Sequence, residues 1–120
     1  MKACIDIGGT KVAVSLNRGE GMELLARRSE PTAKTGNNDA LAQQVLRMVD
    51  AACAELGIDP AQVSAAGVSS CGPFVLRDGM VELATPNICG GLAGPGRGLP
   101  NDWKTAGLEA PLAGRFSRLR

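Results

Sequence analysis

Residues 3–16 read ACIDIGGTKVAVSL, which is a short apolar segment, a turn with two adjacent glycines and a segment in which apolar and other residues alternate. A period of two is typical of a β-strand, and glycines between two strands indicate a hairpin. The stretch therefore predicts two antiparallel strands joined at residues 8–10. A third strand is predicted over residues 22–28, after a turn cluster at residues 17–21, and it completes an antiparallel meander.

A helix is predicted over about residues 39–56, because its apolar residues recur at the spacing of one helical face. Asn37 or Asn38 can cap its start, and Gly57 suits a left-handed residue at its end. The apolar positions on this face are Leu41, Val45, Met48, Val49, Ala52 and Leu56. Residues 63–70 are mostly small, and we interpret them as a strand parallel to the first, reached by the helical crossover.

The second half of the chain contains a hairpin, a long loop and a terminal helix. Residues 74–76 and 80–84 flank an Asp-Gly step that is typical of a short hairpin turn. Residues 85–102 are rich in glycine and proline, and so long a loop in a small domain is usually functional or mobile. A helix is predicted over residues 111–119, with a proline suited to its first turn. The predicted fold class is α/β, with a mixed sheet built from the meander, the crossover helix and the parallel strand.

The composition argues against nucleic-acid binding and against contact with a membrane. With 120 residues the chain has room for one domain. Thirteen basic against twelve acidic residues give a net charge of +1, which provides no basic field for binding nucleic acid. The four cysteines are far apart and are predicted to be buried free thiols. No apolar run has membrane-spanning length and no signal peptide precedes the first strand, so a cytoplasmic location without membrane contact is expected.

The turn after the first strand carries the most informative chemistry. Glycines let the backbone approach phosphate oxygens closely, and successive N–H groups in such a turn form an anion-binding concavity. Around Gly8 and Gly9, Thr10 can add a hydroxyl, Lys11 a positive charge, and Asp6 an acceptor for water bound to Mg²⁺. The pattern is not a Walker loop, since the glycines join two strands. A plain hairpin, with Asp6 as an ordinary residue at the end of a strand, is the alternative.

Two further stretches complete a family resemblance: residues 67–73 read GVSSCGP, and residues 84–88 read ATPNI. Together with CIDIGGTKVA at residues 4–13, they resemble the ROK family of bacterial sugar kinases and related repressors, and within it the glucokinases. The resemblance extends over nearly the whole chain. It implies the N-terminal lobe of a protein with two ribonuclease-H-like lobes, of the actin, Hsp70 and hexokinase superfamily, whose C-terminal lobe is absent here.

The resemblance also implies roles for individual residues. ATP and a hexose would meet in the cleft between the lobes, with Mg²⁺ as the metal. The positions that match the family's phosphate motif are Asp6, Gly8, Gly9, Thr10 and Lys11. The positions that match its sugar site are Gly72, Thr85 and Asn87. By composition alone, the Gly-Pro step at residues 72–73 is a turn and an asparagine in a loop commonly bonds to backbone.

The chain also departs from the family's pattern. ROK kinases carry their general base in an Asn-Asp-Ala stretch at the end of the next strand, and bind zinc through a His and Cys cluster further on. This chain contains no histidine. Its one Asn-Asp pair, Asn101 and Asp102, precedes Trp103 in a glycine-rich loop, and we interpret it as a loop or helix-cap pair. The base and the zinc site are therefore expected beyond Arg120, and the isolated chain is expected to be inactive.

Three functions remain open on the sequence. The first is phosphorylation of a hexose, with glucose favoured, at a primary hydroxyl by ATP and Mg²⁺. The second is a sugar-sensing repressor, although the helix-turn-helix segment that such repressors place ahead of the phosphate motif has no room before Cys4. The third is a truncated remnant without catalysis, which binds weakly or associates with itself. Homo-oligomers are possible, since apolar surface after residue 85 would be exposed.

Overall fold

A computed structural model describes residues 1–91 and 98–120. Its elements are β1 (Lys2–Ile7), β2 (Lys11–Asn17), β3 (Leu25–Pro31), α1 (Ala40–Leu56), a 3₁₀ turn (Pro60–Gln62), β4 (Ala65–Ser70), β5 (Phe74–Arg77), β6 (Met80–Leu83), β7 (Ala106–Gly107), α2 (Glu109–Ala113) and β8 (Arg118–Leu119). Within these residues, five strands form one sheet in the order β3-β2-β1-β4-β8, and three form a second sheet in the order β5-β6-β7.

The larger sheet is mixed, as the sequence predicts. β1 to β3 pair as an antiparallel meander, and β4 then pairs parallel to β1, from Lys2 opposite Ala65 to Ile7 opposite Ser70. α1 makes the crossover between β3 and β4 and contacts β2 and β3. The α/β class, the meander, the crossover helix and the parallel strand are therefore confirmed.

α1 lies over one face of this sheet because its apolar residues recur on one side of the helix. Leu41, Val45, Met48, Val49 and Ala52 are fully buried there. Leu56, predicted on the same face, is only half-buried, since it lies in the last turn. Gly57 ends the helix with a left-handed φ of 66°, as predicted.

The start of α1 differs from the prediction. The residue that caps it is Asp39, whose side chain makes no capping hydrogen bond. Asn37 lies two residues before Asp39, and its Oδ1 accepts a hydrogen bond from the Asp39 N–H at 3.0 Å. Neither Asn37 nor Asn38 therefore occupies the capping position.

β3 begins three residues later than predicted. The side chain of Asn17 folds the preceding segment into a loop, donating to the carbonyl of Glu23 at 2.9 Å and accepting from the Gly19 N–H at 2.7 Å. The pairing of β2 with β3 is irregular near Val14, and Ala26 has a positive φ of 51°. A side-chain contact thus sets the start of this strand.

The second half contains a confirmed hairpin and an unpredicted strand. β5 and β6 pair around Asp78 and Gly79, whose φ values of 52° and 79° are those of the tight turn that an Asp-Gly step favours. β7 then adds to β6, with Ala106 opposite Leu83. Of the predicted 85–102 loop, residues 92–97 lie outside the described residues.

The predicted helix over residues 111–119 is wrong in its extent. α2 ends at Ala113, and the chain then turns and runs beside β4 as β8. The Arg118 N–H donates to the Ser64 carbonyl at 3.1 Å, and the Arg120 N–H donates to the Ala66 carbonyl at 3.0 Å. Pairing with the open edge of the sheet therefore overrides the helical pattern of the sequence.

The core lies between the larger sheet and the two helices, with Phe116 and Leu112 among its largest fully buried side chains. All four cysteines are free. Cys53 and Cys89 are buried, as predicted, and burial raises the pKa of both thiols. Cys4 and Cys71 are only half-buried, which corrects the prediction for these two. None of the helices in the described part of the chain has the length and apolarity that crossing a membrane requires.

Candidate functional site

The candidate site lies where β1 and β4 end. Because these strands run parallel, their carboxyl ends meet at one edge of the sheet, which is the usual position of ligands in sheets of this kind. The N–H of Cys71 donates to the carbonyl of Ile7 at 3.1 Å and extends the pairing by one residue. The predicted phosphate turn, residues 6–11, therefore includes the end of β1 and lies beside Cys71.

Thr32 bonds to two backbone carbonyls of the phosphate turn. The Gly8 N–H donates to the Lys11 carbonyl at 2.8 Å and closes the turn. Thr32 is buried, and its hydroxyl donates to the Gly8 carbonyl at 2.7 Å while its N–H donates to the Thr10 carbonyl at 3.0 Å. Both carbonyls are thus occupied, whereas the N–H groups of Gly9 and Thr10 have no partner among the described residues. This arrangement leaves two adjacent donors for an anion.

Both glycines lie close to neighbouring groups, and neither needs the conformational freedom of glycine, since neither has a positive φ. A Cβ on Gly8 would lie 3.1 Å from the Lys11 carbonyl oxygen. A Cβ on Gly9 would collide with the amide of Asn87, lying 2.8 Å from its Cγ. The phosphate turn therefore contacts a residue that the sequence assigns to the sugar side.

Asp6 lies on the face of the sheet opposite α1, with Ala13 and Ser69 as its neighbours on the adjoining strands. It is exposed and borders an open cavity of about 640 Å³. No group of three or more His, Cys, Asp or Glu residues that could hold a metal occurs in the described residues. One exposed carboxylate still fits Mg²⁺, which takes one or two carboxylates and completes its shell with water and phosphate oxygens.

The three predicted sugar-side residues differ in exposure. Thr85 is buried, and its hydroxyl donates to the Cys71 carbonyl at 3.3 Å. Gly72 is exposed, and a Cβ there would lie 3.4 Å from the ring of Phe74. Asn87 is exposed beside Gly9. Thr85 thus fixes the position of the segment, while Gly72 and Asn87 remain available to a ligand.

Asn101 positions this segment from the other side. Its amide nitrogen donates to the carbonyl of Lys34 at 2.7 Å and to that of Ile88 at 3.0 Å, and its Oδ1 accepts from the Trp103 N–H at 3.1 Å. Asn101 is therefore a loop residue that ties two loops together, as predicted for the Asn-Asp pair. No sequence motif indicates the positioning roles of Asn101 and Thr32, because each depends on a distant partner.

A scan against protein-family models and a search of curated proteins give no match to this chain.

Proposed function

We propose that this chain is the N-terminal, ribonuclease-H-like lobe of an ATP-dependent hexose kinase of the ROK type, with glucose as the favoured sugar. One observation carries the proposal. The two segments that resemble the family's phosphate and sugar motifs are far apart in sequence, and they touch at Gly9 and Asn87. A kinase must bring a phosphate and a sugar hydroxyl together at one such point.

The topology supports the lobe assignment. A ribonuclease-H-like lobe has three antiparallel strands, a crossover helix and a parallel strand, and the order β3-β2-β1-β4-β8 is compatible with it. β8 runs parallel to β4, and the Val68 N–H donates to the Arg120 carbonyl at 2.7 Å. A strand that continues in this direction reaches the carboxyl edge beside Ser70. In the proposal, the general base lies there, beyond Arg120.

The residues of this chain would bind and orient the phosphate. The N–H groups of Gly9 and Thr10 donate to its oxygens, and Lys11 supplies positive charge. Asp6 would hold Mg²⁺ through water, and the metal would supply positive charge to the phosphate oxygens. Thr85 holds the sugar-side segment, residues 85–88, against the end of β4, and Gly72 is exposed beside it.

Binding to the purified chain tests the proposal. In an NMR titration with MgATP at millimolar concentrations, the amide signals of Gly9 and Thr10 should shift. Glucose should shift signals of residues 85–88. Gly9→Ala should abolish the response to MgATP, whereas Gly114→Ala, which adds a Cβ no closer than 3.5 Å to the nearest atom, should not. Shifts confined to residues outside the site would contradict the proposal.

Catalysis tests the lobe assignment separately. A coupled assay of ADP release with glucose, ATP and Mg²⁺ should give no sugar-dependent rate above a Gly9→Val control, because the base and the adenosine-binding lobe are not among these residues in the proposal. A sugar-dependent rate well above that control would show that the chain is a catalyst by itself, and the lobe assignment would be wrong.

A further inference from the structure

We propose that Asn87 is a third donor of the phosphate site, in addition to the two backbone N–H groups of the turn. This inference rests on the proposed function and changes the role that the family resemblance implies for Asn87, which is a sugar contact. Of the atoms described around Gly9, the amide nitrogen Nδ2 of Asn87 lies closest to the position that a Cβ on Gly9 would occupy. A donor thus faces the backbone on which a phosphate would rest.

The backbone on both sides of Asn87 is fixed. The Thr85 carbonyl accepts from the N–H groups of Ile88 and Cys89 at 2.9 Å and 3.0 Å, which closes a turn around Asn87. Ile88 is fully buried, and its carbonyl accepts from Asn101. Asn87 is the exposed residue between these anchors. Its side chain is therefore held near the turn by the position of its backbone and not by a hydrogen bond of its own.

The side-chain amide has hydrogen-bonding capacity to spare. Asn87 makes no side-chain hydrogen bond within the described residues, although an amide nitrogen can donate two. The N–H groups of Gly9 and Thr10 are equally without partners there. Hydrogen bonds to an anion are stronger than those between neutral groups. A phosphate at this point could accept from all three groups, with Lys11 adding charge.

The arrangement has a consequence for how two ligands would act on each other. Asn87 belongs to the segment that Thr85 anchors on the sugar side, yet its amide faces the phosphate turn. A phosphate that engages this amide would order the Asn87 side chain, which no hydrogen bond holds within the described residues. Any effect of this ordering on the affinity for sugar would be reciprocal, so sugar would change the affinity for phosphate by the same factor.

Inorganic pyrophosphate is the probe for this inference, with the purified 120-residue chain. Its dissociation constant is measured from the amide signals of Gly9 and Thr10. Asn87→Ala should weaken binding about tenfold, since one charge-assisted hydrogen bond is lost. Asn87→Asp should weaken it further, because a carboxylate repels the anion. Asn37→Ala and Asn37→Asp are the matched controls at an exposed asparagine outside the site, and they should bind as the wild type does.

The outcomes separate this inference from the proposed function. If pyrophosphate shifts Gly9 and Thr10 but both Asn87 variants bind it as the wild type does, the third donor is wrong and the phosphate turn stands. If the variants lose only the response to glucose, Asn87 is a sugar contact and the inference is overturned. If the wild-type turn does not respond to pyrophosphate, both proposals fail. The melting temperatures of the Asn87 variants, followed by Trp103 fluorescence, should equal that of the wild type, because the Asn87 side chain makes no hydrogen bond within the described residues.

Discussion

Adding one methyl group at Gly9 should perturb the site far more than the fold. The φ of Gly9 is not positive, so alanine can adopt the same backbone, and the loss of unfolded-state freedom should stabilise the chain by about 0.4 to 1 kcal/mol. The methyl would lie 2.8 Å from Cγ and 3.3 Å from Cβ of Asn87, so that side chain must leave its position. Holding a side chain off its rotamer costs about 0.5 to 1.5 kcal/mol. The two effects nearly cancel, and Gly9→Ala should change the free energy of unfolding by less than about 1 kcal/mol.

A double-mutant cycle isolates the contact. Asn87→Ala removes the amide group, including the two atoms closest to the added methyl. The double variant Gly9→Ala with Asn87→Ala should therefore be more stable than the sum of the two single changes predicts, by about 0.5 to 1.5 kcal/mol. Urea unfolding followed by fluorescence of Trp103, the one tryptophan, gives the four free energies. A coupling smaller than about 0.3 kcal/mol is ordinary additivity and would refute the contact between the turn and Asn87.

Two further predictions concern the framework. Arg115 donates to the carbonyls of Val63 at 3.0 Å and Pro60 at 2.6 Å. Arg115→Ala should therefore lower the free energy of unfolding by about 2 to 4 kcal/mol, and Arg115→Lys should lower it less. Equal stability of the wild type and both variants in urea would contradict this prediction. The hydrogen bond from Arg47 holds the pKa of Glu30 below its usual 4.5. The contribution of this ion pair to the stability of the fold is therefore present above that pH and is lost as the pH falls through the lowered pKa. Glu30→Gln should reduce this loss of stability in thermal melts recorded across the acidic pH range, and an unchanged dependence of stability on pH would contradict the prediction.

The elements that the sequence predicts correctly are those with a strong local signal. The alternation along β2 and the helical face of α1 each repeat several times, and the end of α1 follows from Gly57. The turn at Asp78 and Gly79 is likewise encoded by two residues. In each case neighbouring residues contain the information, and tertiary contacts agree with it.

The elements that the sequence does not predict depend on distant partners. β7 and β8 are two residues long and exist because β6 and β4 offer unpaired edges. The start of β3 depends on how the Asn17 side chain folds the loop before it. The site shows the same division, since the glycine turn is visible in the sequence while Thr32 and Asn101 act on backbone far from them.

The distribution of burial in the candidate site separates two kinds of residue. Thr32 and Thr85 are buried, and both hydroxyls donate to backbone carbonyls. Thr10, Lys11 and Asn87 are exposed, and within the described residues none of their side chains is held by a hydrogen bond. Changes to the buried pair should therefore lower stability and binding together, because an unpaired carbonyl and a displaced loop follow. Changes to the exposed three should lower binding alone. A ligand at this edge would thus meet side chains whose backbone is fixed by the core, which lowers the ordering cost of binding.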